Sequence, residues 1–197
     1  VKVVLPDEAG IAEAVRALRN GEIVAYPTET VYGLAVDPFS EPALHRLFEV
    51  KQRPETKPIL CIVADENQLA PLVREVSAHA RTCIARFWPG PLSLLFHKQE
   101  TVSPLLTANS EKVCLRCPSC ETARDLCTAF GGAITSSSAN HSGAPPARRI
   151  SDLDLDGITI AIDGGTLVPS PPSTVYDPDT GLIIREGAIT ADALQAL

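Results

Sequence analysis

Residues 174–185 read TVYDPDTGLIIR, and this stretch decides the fold. Thr174–Tyr176 and Leu182–Arg185 are runs of β-branched and aromatic residues. Asp177–Gly181 between them is rich in turn formers, so the stretch predicts a β-hairpin. A hairpin is an antiparallel pair, whereas parallel neighbours need a crossover, usually a helix. Further strands are predicted at Ile158–Ile162, Ala133–Ser136, Val113–Arg116, Leu92–Phe96, Ile59–Val63 and Ile23–Tyr26. Helical patterns cover Glu8–Asn20, with Ile11, Val15 and Leu18 on one face and Gly21 as the stop, then Leu44–Phe48, Asn67–Val76, Ala78–Phe87 and Thr122–Phe130. Strands, about seven or eight, outnumber the helices, about five, that could cross over between them. The fold class is therefore α/β, with a mixed parallel and antiparallel sheet flanked by helices.

The chain has 197 residues, 45% of them hydrophobic and 21% charged, enough to close one sizeable core without disulfides or metals. One domain, residues 1–197, is expected. There is no internal repeat, and the Pro-rich stretch Pro169–Pro172 is a loop between strand-like runs. No run of 18 apolar residues occurs, and no basic segment precedes an apolar one at the N-terminus. A cytoplasmic chain with no membrane partner is expected. Its six cysteines are then reduced thiols. Cys114, Cys117 and Cys120 have a spacing that invites zinc, yet no second CxxC or HxxxH completes four ligands, so no metal site is expected. A net charge of -7 argues against a protein that coats nucleic acid over its whole surface.

Three segments concentrate polar chemistry. In Tyr26–Leu34 (YPTETVYGL) a strand delivers two threonines, Glu29 and a tyrosine into one turn, where they either line a site or only satisfy the turn's backbone. In Lys51–Pro58 (KQRPETKP) three cations share a Pro-bounded loop. A helix C-terminus accounts for Lys51 but not for Arg53 and Lys57, which make best sense around a bound anion such as a triphosphate. In Thr135–Gly143 (TSSSANHSG) small hydroxyls and Asn140 can approach phosphate or ribose oxygens closely, or form a plain polar turn. Arg116 and Arg185 end strands, where a cation faces either solvent or a site, and Arg148 and Arg149 read as surface charges. Neither GxGxxG nor GxxxxGK[ST] occurs, no GxSxG elbow is present, and the four histidines have no recognisable partners. What remains is equipment for electrostatic stabilisation of phosphoryl or nucleotidyl transfer.

Taken in order, PTETVYGL, KQRP with KP, WPGPLS, RCP, SSAN-x-SG, ST and IIREG resemble the YrdC-type threonylcarbamoyl-AMP synthase family, including the TsaC proteins, over about Ile23–Gly187. The resemblance implies a twisted mixed sheet with a large concave cleft. It implies an enzyme that joins L-threonine, bicarbonate and ATP into threonylcarbamoyl-AMP and pyrophosphate, the first step of threonylcarbamoyladenosine formation in tRNA. Separate proteins then transfer the threonylcarbamoyl group to tRNA. Lys51 and Arg53 match the family's KxR pair and Ser138 and Asn140 its SxN pair, which implies that these four are catalytic. Arg53, Lys57, Ser138, Asn140 and Arg185 are implied ATP contacts, and Thr30, Arg116, Ser136 and Ser173 threonine contacts. Mg2+ is expected to accompany ATP on its phosphates. Lys57 stands where the family often has Asn or His, and Pro146 where it has a serine. The chain is expected to be the short form, without the extra C-terminal domain of some members. The same motifs also resemble carbamoyl-adenylate-forming modules and proteins viewed as binding double-stranded RNA.

Overall fold

The computed structural model describes residues 1–197. Its strands are β1 (Lys2–Val4), β2 (Ile23–Tyr26), β3 (Gly33–Ala35), β4 (Cys61–Ile62), β5 (Leu92–His97), β6 (Lys112–Arg116), β7 (Ile134–Thr135), β8 (Ser137–Ser138), β9 (Ile158–Ile162), β10 (Thr174–Asp177) and β11 (Leu182–Arg185). Its helices are α1 (Glu8–Arg19), α2 (Glu41–Lys51), α3 (Ala78–Phe87), α4 (Pro104–Thr107), α5 (Glu121–Phe130) and α6 (Ala191–Gln195). The hairpin forms as predicted, with β10 antiparallel to β11, and β10 runs parallel to β5 on its other side.

The strands fall into two mixed sheets rather than one. The first has the order β1-β9-β2-β3-β8 and the second β11-β10-β5-β6-β4-β7. The predicted strand Ala133–Ser136 is what joins them. Thr135 pairs with Cys61 in the second sheet and Ser137 with Leu34 in the first, so the chain changes sheets at Ser136.

Every residue of β2 is buried, because both faces of its sheet are covered. Val24 and Tyr26 pack in a core with Ile11, Val15 and Leu18 of α1 and Leu126 of α5. Ile23 and Ala25, on the opposite face, pack in the core that contains Leu44 and Leu47 of α2 and the strands of the second sheet. Helix α1 starts at Asp7, whose carboxylate accepts from Gly10 N at 2.9 Å, and stops where Gly21 adopts φ 74°.

The helix predicted over Asn67–Val76 is absent. Glu66–Gln68 form one 3-10 turn, and Val73 makes a β-bridge to Lys98. Pro71 offers no N–H and blocks the helical register, while Leu69, Leu72 and Val73 still reach the core from an irregular path. Their 3.6-like spacing reported burial, not helix.

Gly187 brings the end of β11 against the segment before β10. A Cβ there would lie 2.2 Å from Pro172 O and 2.7 Å from Ser173 C. Gly187→Ala is expected to lower stability by about 1–3 kcal/mol through this overpacking. Urea unfolding checks it: an unchanged midpoint would show that the two segments can separate without loss.

Candidate active site

Helix α2 ends at the KxR motif, and its ending sets the direction of each side chain. Gln52 takes the left-handed conformation at φ 49°, Gln52 N donates to Glu49 O at 3.0 Å, and Arg53 N donates to Phe48 O at 2.9 Å. The reversal sends Lys51 inward. Its ammonium, 1% exposed, donates to Ser138 O and to Asn140 O, the latter at 2.7 Å. Arg53 turns the other way, is half-buried, and donates from Nη2 to Pro58 O at 2.8 Å and from Nε to Lys57 O at 3.3 Å. Burial, with the Arg53 guanidinium second, pushes the Lys51 ammonium down to about 8. Asn140 closes the same loop from within, donating from Nδ2 to His141 O at 2.8 Å and Ala144 O at 2.6 Å.

A cavity of about 760 Å³ opens between the two sheets. Thr30, Arg53, Arg116, Ser136, Ser138, Ser173 and Arg185 all line it, so seven of the predicted residues converge. Thr30, Arg116 and Ser173 are buried at 7%, 3% and 5% exposure and form its floor, whereas Arg185 is exposed at the rim. Lys51 and Asn140 are not lining residues but hold the wall from behind. The Lys57 side chain is exposed and does not line the cavity, where only its carbonyl contributes, by steadying Arg53.

The turn after β2 is held by its own hydroxyls. Thr28 Oγ1 donates to Val31 O at 2.7 Å and accepts from the N–H groups of Thr30 and Val31, each at 3.2 Å. This fixes the backbone on either side of Glu29, whose carboxylate accepts from Arg116 Nη1 at 2.6 Å. Glu29 Oε2 and Arg116 Nε are buried with no partner, so the pair is joined at a single point. Ser173, just before β10, accepts at its carbonyl from Arg185 Nη2 at 2.8 Å and at its hydroxyl from the same nitrogen at 3.0 Å.

Arg53, Lys112, Arg116, Arg148 and Arg185 line the cavity, and no aspartate or glutamate does. A site of this kind prefers an anion, and its acid-free wall stands out in a chain of net charge -7. Two of these cations escaped the sequence reading. Arg149 is a surface charge, donating to Asp152 at 2.7 Å, but Arg148 faces the cavity, and this corrects the assignment of both to the surface. Lys112 and Cys114 share a face of β6 with Arg116, while Val113 and Leu115 go to the core. The two-residue strand period starting from Arg116 was the signal that could have found them. Lys112 is already paired, at 2.7 Å with Asp177 and 2.9 Å with Asp179.

Cys117 Sγ donates to Ala64 O at 3.1 Å and Cys120 Sγ to Pro27 O at 3.4 Å, and all six thiols are free. No group of three or more His, Cys, Asp or Glu side chains is placed to hold a metal ion. With no carboxylate on the cavity wall, the donor set does not fit a protein-held Mg2+.

Two packed mixed sheets and an acid-free cationic cavity with a buried floor define an α/β domain whose cavity favours an anionic ligand. Residues 16–187 match the Sua5/YciO/YrdC family, described as Telomere recombination, and the chain belongs to that family. It is 39% identical over 178 residues to the threonylcarbamoyl-AMP synthase of Chromohalobacter salexigens, covering 89% of this chain and 96% of that one. It is 36% identical to that of Klebsiella pneumoniae over 93% of this chain and 98% of that one. Among solved structures, P. abyssi Sua5 complexed with L-threonine superposes with a TM-score of 0.90 at 33% identity. That match covers 99% of this chain and 59% of the longer Sua5 chain.

Removing the Glu29 carboxylate strands the Arg116 guanidinium. Breaking a fully buried pair costs about 3–5 kcal/mol. Glu29 keeps 19% of its side chain exposed and Arg116 borders a cavity, so Glu29→Ala is expected to cost less, about 1–3 kcal/mol. Glu29→Gln keeps an oxygen that can accept from Arg116 Nη1 and should lose less. Denaturant melts of both variants check this, and equal losses would show that the charge, not the hydrogen bond, matters.

Proposed function

We propose that this chain joins L-threonine, bicarbonate and ATP into threonylcarbamoyl-AMP, with release of pyrophosphate. The observation that carries the reading is the division of the cavity into a buried floor of Arg116 with threonine and serine hydroxyls and a more open cationic wall. Arg116 pairs with the amino-acid carboxylate, and the hydroxyls of Thr30, Ser136 and Ser173 hold the rest of a molecule as small as threonine. The neutral threonine amine attacks the carbon of bicarbonate, a C–O bond breaks and the oxygen leaves as water with an amine proton. The resulting carbamate oxygen attacks the α-phosphorus of ATP in line, breaking the bond from that phosphorus to the oxygen bridging the β-phosphate. Arg53, Arg148 and Arg185, with the Ser138 hydroxyl, hold the phosphates and offset charge on the leaving pyrophosphate. Mg2+ would enter on the nucleotide's own phosphates rather than on protein carboxylates.

Lys51 and Asn140 serve as positioning residues in this reading, since both hold the 138–144 loop by its carbonyls. The threonylcarbamoyl group would next pass to separate proteins that place it on tRNA. The 36–39% identity to threonylcarbamoyl-AMP synthases supports an enzyme of this kind.

Pyrophosphate release from ATP and bicarbonate is expected to depend on L-threonine and to fall by about a hundredfold in Lys51→Ala and Asn140→Ala, because displaced reacting groups cost on that order. Arg149→Ala, outside the cavity, should retain the wild-type rate. Release driven by carbamoyl phosphate would reassign the chain to carbamoyl-adenylate formation. No release in any mixture, with salt-sensitive binding of double-stranded RNA, would replace the enzyme reading altogether.

Activity should also fall as pH rises through about 8, where Lys51 loses the proton it gives to the loop carbonyls. Stability should move the other way. An unfolded lysine keeps its proton to about 10.4. Between those values the unfolded chain binds more protons than the folded one, so the Lys51 contribution to folding becomes more favourable with pH. A rate that falls together with thermal stability would place the loss in unfolding rather than in Lys51.

A further inference from the structure

Ser93 lies in β5 and is fully buried. Its hydroxyl is 2.9 Å from Ser173 Oγ, and this is its one hydrogen bond. The direction of that bond follows from counting protons. A serine hydroxyl carries one proton and two acceptor sites. If Ser173 donated to Ser93, the proton of Ser93 itself would have no acceptor in a dry core, and buried donors without partners are rare and costly. If Ser93 donates to Ser173, nothing is left over. Arg185 Nη2 fills the other acceptor site of Ser173 Oγ at 3.0 Å. With both acceptor sites taken, the one hydrogen-bonding capacity left at Ser173 is its own proton, and Ser173 lines the cavity.

We propose that Ser93 is a positioning residue that turns the Ser173 hydroxyl proton into the cavity, making Ser173 a donor to an anionic oxygen of the amino-acid substrate. An ammonium or hydroxyl donor on the substrate finds no free lone pair at this position. The oxygen belongs to the threonine carboxylate or to the carbamate formed from it, and both carry the charge that strengthens such a bond. This deepens the threonylcarbamoyl-AMP reading and rests on it. The requirement also explains a hydroxyl at position 93, near the start of a strand where its neighbours Leu92 and Leu94 are fully buried and apolar.

The test compares the full-length wild type with Ser93→Ala, Ser173→Ala and the double variant. L-threonine binding without ATP is measured by calorimetry, and KM and kcat by pyrophosphate release. Thermal melts confirm equal folding, and Ser93→Ala removes only one buried oxygen. If the carboxylate is the acceptor, each single variant should weaken L-threonine by about tenfold, with KM for ATP nearly unchanged. If the carbamate is the acceptor, binding should hold and kcat should fall by about tenfold. In either case the double variant should be no worse than Ser173→Ala, because Ser93 acts only through Ser173. Wild-type binding and kcat in Ser93→Ala would overturn the proposal, and so would losses that multiply in the double variant, the mark of a separate structural role. A wild type that binds no L-threonine would overturn the substrate reading and this proposal together.

Discussion

Two sheets meet at Thr135, and the cavity exists because they are held there. Thr135 is fully buried. Its N–H donates to Val36 O at 3.1 Å, and its hydroxyl accepts from Val36 N at 2.9 Å and donates to Leu34 O at 3.3 Å. Tyr26 OH reaches Thr135 O at 3.2 Å from the first sheet, and Ser136 N donates to Leu60 O at 2.7 Å beside the second. Thr135 thus bonds back to the first sheet while its neighbour Ser136 bonds to the second, and the serines that follow emerge at the seam. Ser136, Ser137 and Ser138 all line the cavity because the chain has just crossed from one sheet to the other.

Electrostatics sets the second constraint. Cations gathered on one wall repel one another by about 1 kcal/mol per pair at 4 Å in water and by more where the surroundings are less polar. The fold tolerates this by giving them neutral acceptors. Lys51 is held by two carbonyls, Arg53 by two, and Arg185 by the carbonyl and hydroxyl of Ser173. Carbonyls orient a cation without neutralising it, so the positive potential remains for an anionic ligand. Arg116 and Lys112 also meet carboxylates, but those acids lie behind the wall rather than on it, and Glu29 engages Arg116 through Nη1 alone, leaving its Nε without a partner.

Much of this is legible in the amino-acid sequence. Strands Ile23–Tyr26, Ile158–Ile162 and Leu182–Arg185 and helix Ala78–Phe87 keep the bounds read from residue pattern, because burial on a sheet or helix face imposes its period on the sequence. Seven of the expected site residues share one cavity. The failures have equally local causes. Asn67–Val76 carries apolar residues at helical spacing, but Pro71 removes a backbone donor in its middle. The adjacent Arg148 and Arg149 look alike as letters. They part because Ala147 is pinned, its carbonyl accepting from Tyr32 N at 3.0 Å and its N–H donating to Ala139 O at 3.2 Å, which fixes the direction of the chain as it leaves that residue.

By itself, the sequence determined the local order of this protein. It set the longer strands and helices, where Gly21 and Pro27 stop them, and the hairpin that makes the sheets mixed. Through the order of its motifs it also determined the family to which the chain belongs. Only the tertiary structure decided that the strands divide between two sheets, that Lys51 and Asn140 stand behind the cavity wall while Arg53 faces it, and that Ser93 speaks to Ser173 from 80 residues away. The physical reason is the range of the forces involved. Backbone sterics and hydrophobic period act over a few neighbouring residues and are written there, whereas a hydrogen bond or a shared cavity depends on distances that exist only once remote segments have packed.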